Sequence, residues 1–297
     1  MNGVLIIDKP QGLTSHDVVS RVRKVLGQHA VGHLGTLDPM ATGVLPLVLG
    51  SFTRLAQFYL RSEKTYEGVI RFGFSTSTYD AEGEPDSPVK QVNLGLEEVR
   101  AVAAGFVGSV EQLPPPFSAK KIAGVPAYKL ARKKEEVPLR PVKVEIKEFA
   151  ILEVKGDRAD FKARVGSGTY MRSVAHDLGQ KIGCGAHLAE LRRTGVAELR
   201  IEAASTLKAL ADATQQGRAK EMLVHPRKLV PDLPCVTATE EDVAMIRAGR
   251  AVNLPEMSRA PLVKVFLGQA DLVAIATRVA GTLFHAGTVF ASETGEE

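Results

Sequence analysis

The chain has 297 residues, 44% of them hydrophobic, 24% charged and 5% aromatic, with a net charge of +4. That is a globular composition, and it excludes a disordered, collagen-like or disulfide-built protein. The length predicts about two domains.

In chain order, residues 4–7 read as a short strand. A helix over 17–26 follows, with Thr14 or Ser15 available as its cap and Gly27 to stop it. Residues 31–46, rich in Gly, Thr and Pro, read as a loop. Residues 47–49 are predicted as a brief buried strand or turn, 52–60 as a helix, 66–74 as a strand and 75–89 as a polar loop. An amphipathic helix is expected over 96–106. Residues 112–137 carry Pro114-Pro115-Pro116 and then the densest basic cluster, a long excursion of the kind that carries function. Strands are expected at 142–149 and 159–165. The turn 166–169 then leads into a helix bearing Val174, Leu178 and Ile182, and two helical stretches are expected within 205–225. Prolines mark a boundary near 228–235. Beyond it lie one helix with Thr239 and Asp242 in capping-box spacing and strands at 263–267, 272–277 and 288–291, a rhythm that suggests a small β-barrel. Helices and strands without regular βαβ alternation make the main domain α+β.

The charge is uneven. Residues 1–62 carry +3, 63–117 carry −5, 118–200 carry +8 and 201–297 carry −2. The +8 block holds Lys120-Lys121, Arg132-Lys133-Lys134 and Arg192-Arg193. It reads equally well as solvated faces or as a polyanion-binding surface. Several chemistries lack their residues: there is no GxxxxGK[ST] loop, no HExxH, no G-x-S-x-G elbow, and Cys184 and Cys235 make no CxxC. No metal or cofactor is expected, so catalysis must rest on side chains alone. No apolar run approaches the ~18 residues of a membrane span, and the opening lacks the basic region of a signal peptide. With two cysteines and no such signals, the cytoplasm is the expected compartment.

One segment carries the chemistry: GHLGTLDPMATGVLP at residues 32–46. Asp38 is its only acid, with Gly35 and Gly43 permitting close approach of a ligand and Pro39 stiffening the chain behind it. A lone loop Asp is most often a turn former, yet a single preorganised carboxylate also suits attack at a sugar carbon. The segment closely resembles the GHxGTLDPxAxGxLP signature of the bacterial tRNA pseudouridine-55 synthases, the TruB family. The resemblance extends to DKPQGLTS at 8–15, Lys64-Thr65-Tyr66, PPPFSAKK at 114–121 with Gly124 and Tyr128, Gly168-Thr169-Tyr170-Met171-Arg172-Ser173, and the stretch from Cys184 to Thr194. It is dense over residues 1–200. The final stretch is similar to a PUA-type RNA-binding barrel in length and strand rhythm.

The resemblance implies a pseudouridine synthase core with a mixed or antiparallel central sheet over 1–230, a basic RNA-gripping insertion at about 112–140, and a PUA-like barrel over 231–297. It implies that Asp38 acts on the nucleotide, that Arg172 pairs with it, and that Tyr66 stacks on an extruded uracil and serves in proton transfer. His33 would brace the vacated position in the RNA. Tyr170 and Leu191 would line the base pocket, and Lys120, Lys121, Arg132, Lys133 and Lys134 would grip RNA. The implied substrate is the T-arm of tRNA, isomerised by a monomer without cofactor, membrane or obligate protein partner. Two other readings stay open: an RNA-binding or RNA-folding protein that keeps the scaffold, and a pseudouridine synthase acting on a different RNA.

Overall fold

The computed structural model describes residues 1–117, 121–122, 125–126 and 139–291. β1 (Gly3–Lys9) is almost entirely buried, as a strand covered on both faces must be. Its side chains divide with period two. Leu5 and Ile7 join one core with Val18, Val22 and Leu178, while Val4 and Ile6 join another with Phe52 and Leu55. The helix Ser15–Leu26 starts at Thr14, which exchanges hydrogen bonds with Asp17 in a capping box, and it ends at Gly27 with φ 60°. Both signals were visible in the sequence.

The loop expected over 31–46 is mostly strand. β2 (Val31–His33) and β3 (Thr42–Leu49) flank a shorter connection at 34–41. Pro46 gave β3 the look of a loop because proline cannot donate to a ladder. One edge of β3 bonds β10 (Ala186–Val196) at Thr42 and Gly43, then β2 from Leu47 to Leu49. Pro46 falls in the gap between these partners, and its carbonyl still accepts from Leu34 N at 2.9 Å.

β4 (Lys64–Phe72), β5 (Gly108–Gln112), β8 (Val142–Lys155) and β9 (Arg158–Val165) complete the larger sheet. Its order is β1-β3-β10-β4-β9-β8-β5, with β2 on β3 and β11 (Leu199–Arg200) on β10. Only β3–β10 is parallel, so the sheet is mixed. β6 (Lys121–Ile122) and β7 (Val125–Pro126) pair apart from it. The helix expected over 52–60 is a 3₁₀ segment, Gly50–Leu55, running into one α-turn, Ala56–Tyr59. Helices Leu96–Ala104 and Met171–Ile182 match the predicted periodicity. Of the two helical stretches expected within 205–225, one is the α-helix Leu207–Gln215 and the other a 3₁₀ turn, Ala219–Met222.

The C-terminal sheet contains β12 (Cys235–Ala238), β13 (Val252–Asn253), β14 (Leu262–Leu267), β15 (Asp271–Ala280) and β16 (Leu283–Val289), in the order β12-β14-β15-β16-β13. The strand expected at 288–291 begins earlier, at Leu283. Among the described residues the sheet is an open, curled half-barrel rather than a closed barrel, because no ladder joins β12 to β13. It shares a core with the larger sheet. Phe266, Leu272, Ile275 and Phe290 pack with Val4, Ile6, Val48 and Phe52, and the Phe52 and Phe290 rings lie 5.0 Å apart. Two polar ties reinforce the joint. Buried Lys264 donates to the carbonyls of Arg227 and Leu229 at 2.9 and 2.7 Å, and Arg54 Nη1 donates to Val289 O at 2.8 Å. Among the described residues no helix is long and apolar enough to cross a membrane.

Candidate active site

The connection 34–41 is held from below by buried apolar anchors, Leu37, Met40 and Ala41. Polar ties fix it laterally. Leu37 N donates to Ser15 Oγ at 2.8 Å, Ser15 Oγ donates to Leu37 O at 3.1 Å, and Gly12 N donates to Pro39 O at 2.8 Å. Lys9, fully buried at the end of β1, donates its Nζ to the carbonyls of Pro10 and Pro39 at 2.9 and 3.2 Å. Asp38 therefore projects from a braced loop, and its side chain keeps 35% exposure.

Arg172 is the second residue of the helix Met171–Ile182 and is 4% exposed. Its Nη2 donates to Asp38 Oδ1 at 3.0 Å, and its Nε lies 2.8 Å from Oδ2, so one hydrogen bond and an ion-pair contact join the guanidinium to the carboxylate. The same guanidinium donates to Thr78 O at 3.2 Å and to Phe117 O at 2.9 Å, and it lies 3.5 Å from Asp80 Oδ2. Tyr79, between Thr78 and Asp80, has φ 64° and stacks on His176 at 3.8 Å, which ties this loop to the helix carrying Arg172. Withdrawal from water pushes the Asp38 carboxyl above its ordinary value; Arg172 opposes that push and Asp80 adds to it.

Two cavities meet at Asp38. The smaller, about 270 Å³, is lined by Lys64, Tyr66, Tyr170, Leu191, Arg193 and Arg172. Lys64 and Tyr66 lie two apart on β4, and Leu191 and Arg193 two apart on β10, so each pair shares a face. Tyr66 and Leu191 are 8% and 7% exposed, which leaves only an edge of each to the cavity. Tyr170 is fixed by Gln112, whose side-chain amide bonds both its N–H and its C=O. The larger cavity, about 710 Å³, is lined by His16, His33, Asp80, Glu82 and Phe117. His33 Nδ1 accepts from Gly35 N at 3.3 Å, and burial, with Arg193 adding, pushes the imidazole below its ordinary value.

The structure thus brings Asp38, Arg172, Tyr66, Tyr170 and Leu191 to one cavity and sets His33 in the next. Lys120, Arg132, Lys133 and Lys134 lie outside the described residues, as does the side chain of Lys121. Four neighbours carried no site prediction: Lys9, Lys64, Asp80 and Arg193. Asp80 was hidden in the polar run 75–89, and Arg193 in what looked like a basic surface pair. Strand alternation was the available signal. Arg192 turns outward to grip Asp8 at 3.0 and 2.8 Å, so Arg193 must turn inward. Among the described residues no group of three or more His, Cys, Asp or Glu could hold a metal.

A mixed sheet carrying an arginine-paired aspartate beside a tyrosine-lined cavity is the arrangement that the sequence resemblance implies for a pseudouridine synthase. Comparison with known proteins makes the assignment narrower. Residues 23–171 match the N-terminal domain of the TruB family pseudouridylate synthases, and residues 172–232 match a tRNA pseudouridylate synthase B C-terminal domain. The tRNA pseudouridine synthase B of Solibacter usitatus is 48% identical over 288 residues, covering 96% of this chain and 98% of the relative. That of Aquifex aeolicus is 37% identical, covering 90% and 92%. Two solved structures also match. A chain of a Cbf5-Nop10-Gar1 complex superposes with a TM-score of 0.72 at 28% identity, covering 97% of this chain and 85% of that one. A chain of an H/ACA RNP bound to a substrate RNA containing 2′-deoxyuridine gives 0.72 at 26% identity, covering 98% and 86%. The chain belongs to the TruB family.

Proposed function

We propose that this protein isomerises uridine to pseudouridine at position 55 in the T-loop of tRNA, with Asp38 as the reacting side chain. It is a tRNA pseudouridine synthase. The observation that carries the assignment of the site is the hydrogen-bonded ion pair of buried Arg172 with Asp38 at the meeting of the two cavities. An enzyme acting on a base inside folded RNA must draw it out of the stack, at a cost of a few kcal/mol. The edge of Tyr66 and the side chain of Leu191 offer an apolar wall to the extruded uracil, with Tyr170 at the rim, and His33 braces the emptied place from the neighbouring cavity. The N1–C1′ bond breaks, the base turns, and C5 bonds to the same C1′; C5 loses a proton and N1 gains one. The reaction is redox-neutral and needs no nucleotide or metal. A carboxylate can begin it by adding to C1′ or by removing the C2′ proton, and either step requires Asp38 ionised, the state that Arg172 favours.

Residues 1–230 form the catalytic unit in this reading and 231–297 a PUA-like RNA-binding unit, acting as a cytoplasmic monomer without a protein partner. Lys120, Lys121, Arg132, Lys133 and Lys134 hold the T-arm backbone. The test is Asp38→Asn. Pseudouridine formation is lost in single-turnover assays, while tRNA binding stays within a few-fold because affinity is spread over phosphate contacts. Appreciable activity in this variant would falsify the assignment. Unmodified tRNA transcript, offered beside ribosomal RNA fragments with no other protein, separates this reading from a synthase for another RNA.

A further inference from the structure

Arg193 is 1% exposed and, among the described residues, heads the fully buried side chains by volume. A guanidinium withdrawn from water normally takes a carboxylate partner. Among the described residues Arg193 has none within salt-bridge distance, and it spends its fork on backbone instead. Nε donates to Val44 O at 2.7 Å, Nη1 to Thr36 O at 3.2 Å and Nη2 to Gly35 O at 3.0 Å. Gly35 and Thr36 stand on the limb of the connection that enters Asp38, and Val44 stands on the strand that leaves it. One rigid planar group therefore cross-links both limbs of the loop around the reacting carboxylate.

The strand pairing adds a second link. Arg193 lies opposite Gly43 on β3 and opposite Tyr66 on β4, and both Arg193 and Tyr66 line the smaller cavity with Asp38. A β-bulge between Arg193 and Gly195 ends the regular register at this point, the kind of irregularity that re-aims side chains beside active sites. An apolar side chain of similar volume would fill the space without the cost of a buried charge. The guanidinium supplies two things such a side chain cannot: donors aimed at three carbonyls, and a fixed positive charge beside Asp38. That charge reaches its neighbours. Burial is the main cause that lowers His33, Lys9 and Lys64, and Arg193 adds to it in all three.

We propose that Arg193 is a positioning residue of the isomerisation, fixing the Asp38 loop against the strand that carries Tyr66. The proposal rests on Asp38 being the reacting group. Lysine in its place keeps the charge but lacks the rigid planar fork that meets the three carbonyls in fixed directions.

The test compares Arg193→Lys, Arg193→Ala and Asp38→Asn in the full chain, with single-turnover rate constants at saturating enzyme, tRNA affinity and thermal melting. Arg193→Lys is expected to fold and to bind tRNA within about threefold of the parent, because base chemistry and phosphate binding are separate. Its rate constant should fall on the order of 100-fold, the cost of about 1 Å of misplacement. Millimolar guanidinium should restore part of the rate to Arg193→Ala, and urea, which has the shape without the charge, should not. A parental rate in folded Arg193→Lys overturns the proposal, as does a lowered tRNA affinity with an unchanged rate at saturation. Failure of both variants to fold overturns it as well, since Arg193 would then serve the scaffold. If Asp38→Asn is active, the assignment of the reacting group has failed; if it is dead while Arg193→Lys is fully active, only the positioning role has.

Discussion

At the scale of single residues, Asp38 makes the pH dependence of the reaction predictable. Burial and the Asp80 carboxylate raise it, against Arg172. The acid limb of kcat/KM, which reports the free enzyme, should therefore have a midpoint above the ordinary aspartate value of about 3.9. Asp80→Asn removes a negative charge and should move that midpoint down, whatever it does to the rate. A parental limb at or below about 4 would contradict the electrostatics described. Two lysines give a stability effect of opposite sense. Lys9 and Lys64 are each pushed down to about 8, chiefly by burial. In the unfolded chain they titrate near ~10.4, so between those values the unfolded state holds more protons. Stability must then rise as pH climbs through that window, and the gain is lost as pH falls through about 8. Thermal melts across the window should show the rise, and Lys9→Met should flatten it. The sequence exposed Asp38, Arg172 and Tyr66 because each sits in a distinctive local run. It concealed Lys9, Asp80 and Arg193, whose roles arise only when β1, the 75–89 loop and β10 meet.

At the scale of elements, Gly43 shows how closely β3 and β10 approach. Its φ is 98°, and a Cβ added there would lie 2.2 Å from the carbonyl oxygen of Arg193. Gly43→Ala should cost at least about 2 kcal/mol, the left-handed backbone alone accounting for roughly 1–2, and should depress the single-turnover rate by parting β10 from the Asp38 loop. Denaturant midpoints and rate constants measure the two effects. Local signals served well where an element is closed by its own residues, as with Thr14, Asp17 and Gly27 around the first helix. They failed where partners decide. Thr42–Leu49 resembles a loop until β1, β2 and β10 supply its hydrogen bonds, and Ala186–Val196 is central although Glu190, Arg192 and Arg193 interrupt its apolar run.

At the scale of the whole molecule, affinity for tRNA should depend steeply on salt, since each phosphate contact adds about −0.7 to −0.9 to the slope of log K against log salt. Ala replacement of Lys120, Lys121, Arg132, Lys133 and Lys134 should lower that slope in a salt titration of binding; an unchanged slope removes them from the interface. Deleting 231–297 exposes Phe52, Leu55 and Val48, which now pack against Phe266 and Phe290. The truncated chain should melt well below the full one in calorimetry, and the intact chain should melt in a single transition. The place of β10 has a consequence in time. It lies between β3 and β4, strands that precede it by more than a hundred residues, and it alone bridges β1-β3 to β4-β9-β8-β5. Until residue 196 has left the ribosome, the two halves of the sheet have nothing to join them, and Leu191 and Arg193 cannot reach the cavity. Such distant pairing is slow to form. About two thirds of the chain must therefore be made before the sheet can close and its cavity gain Leu191 and Arg193.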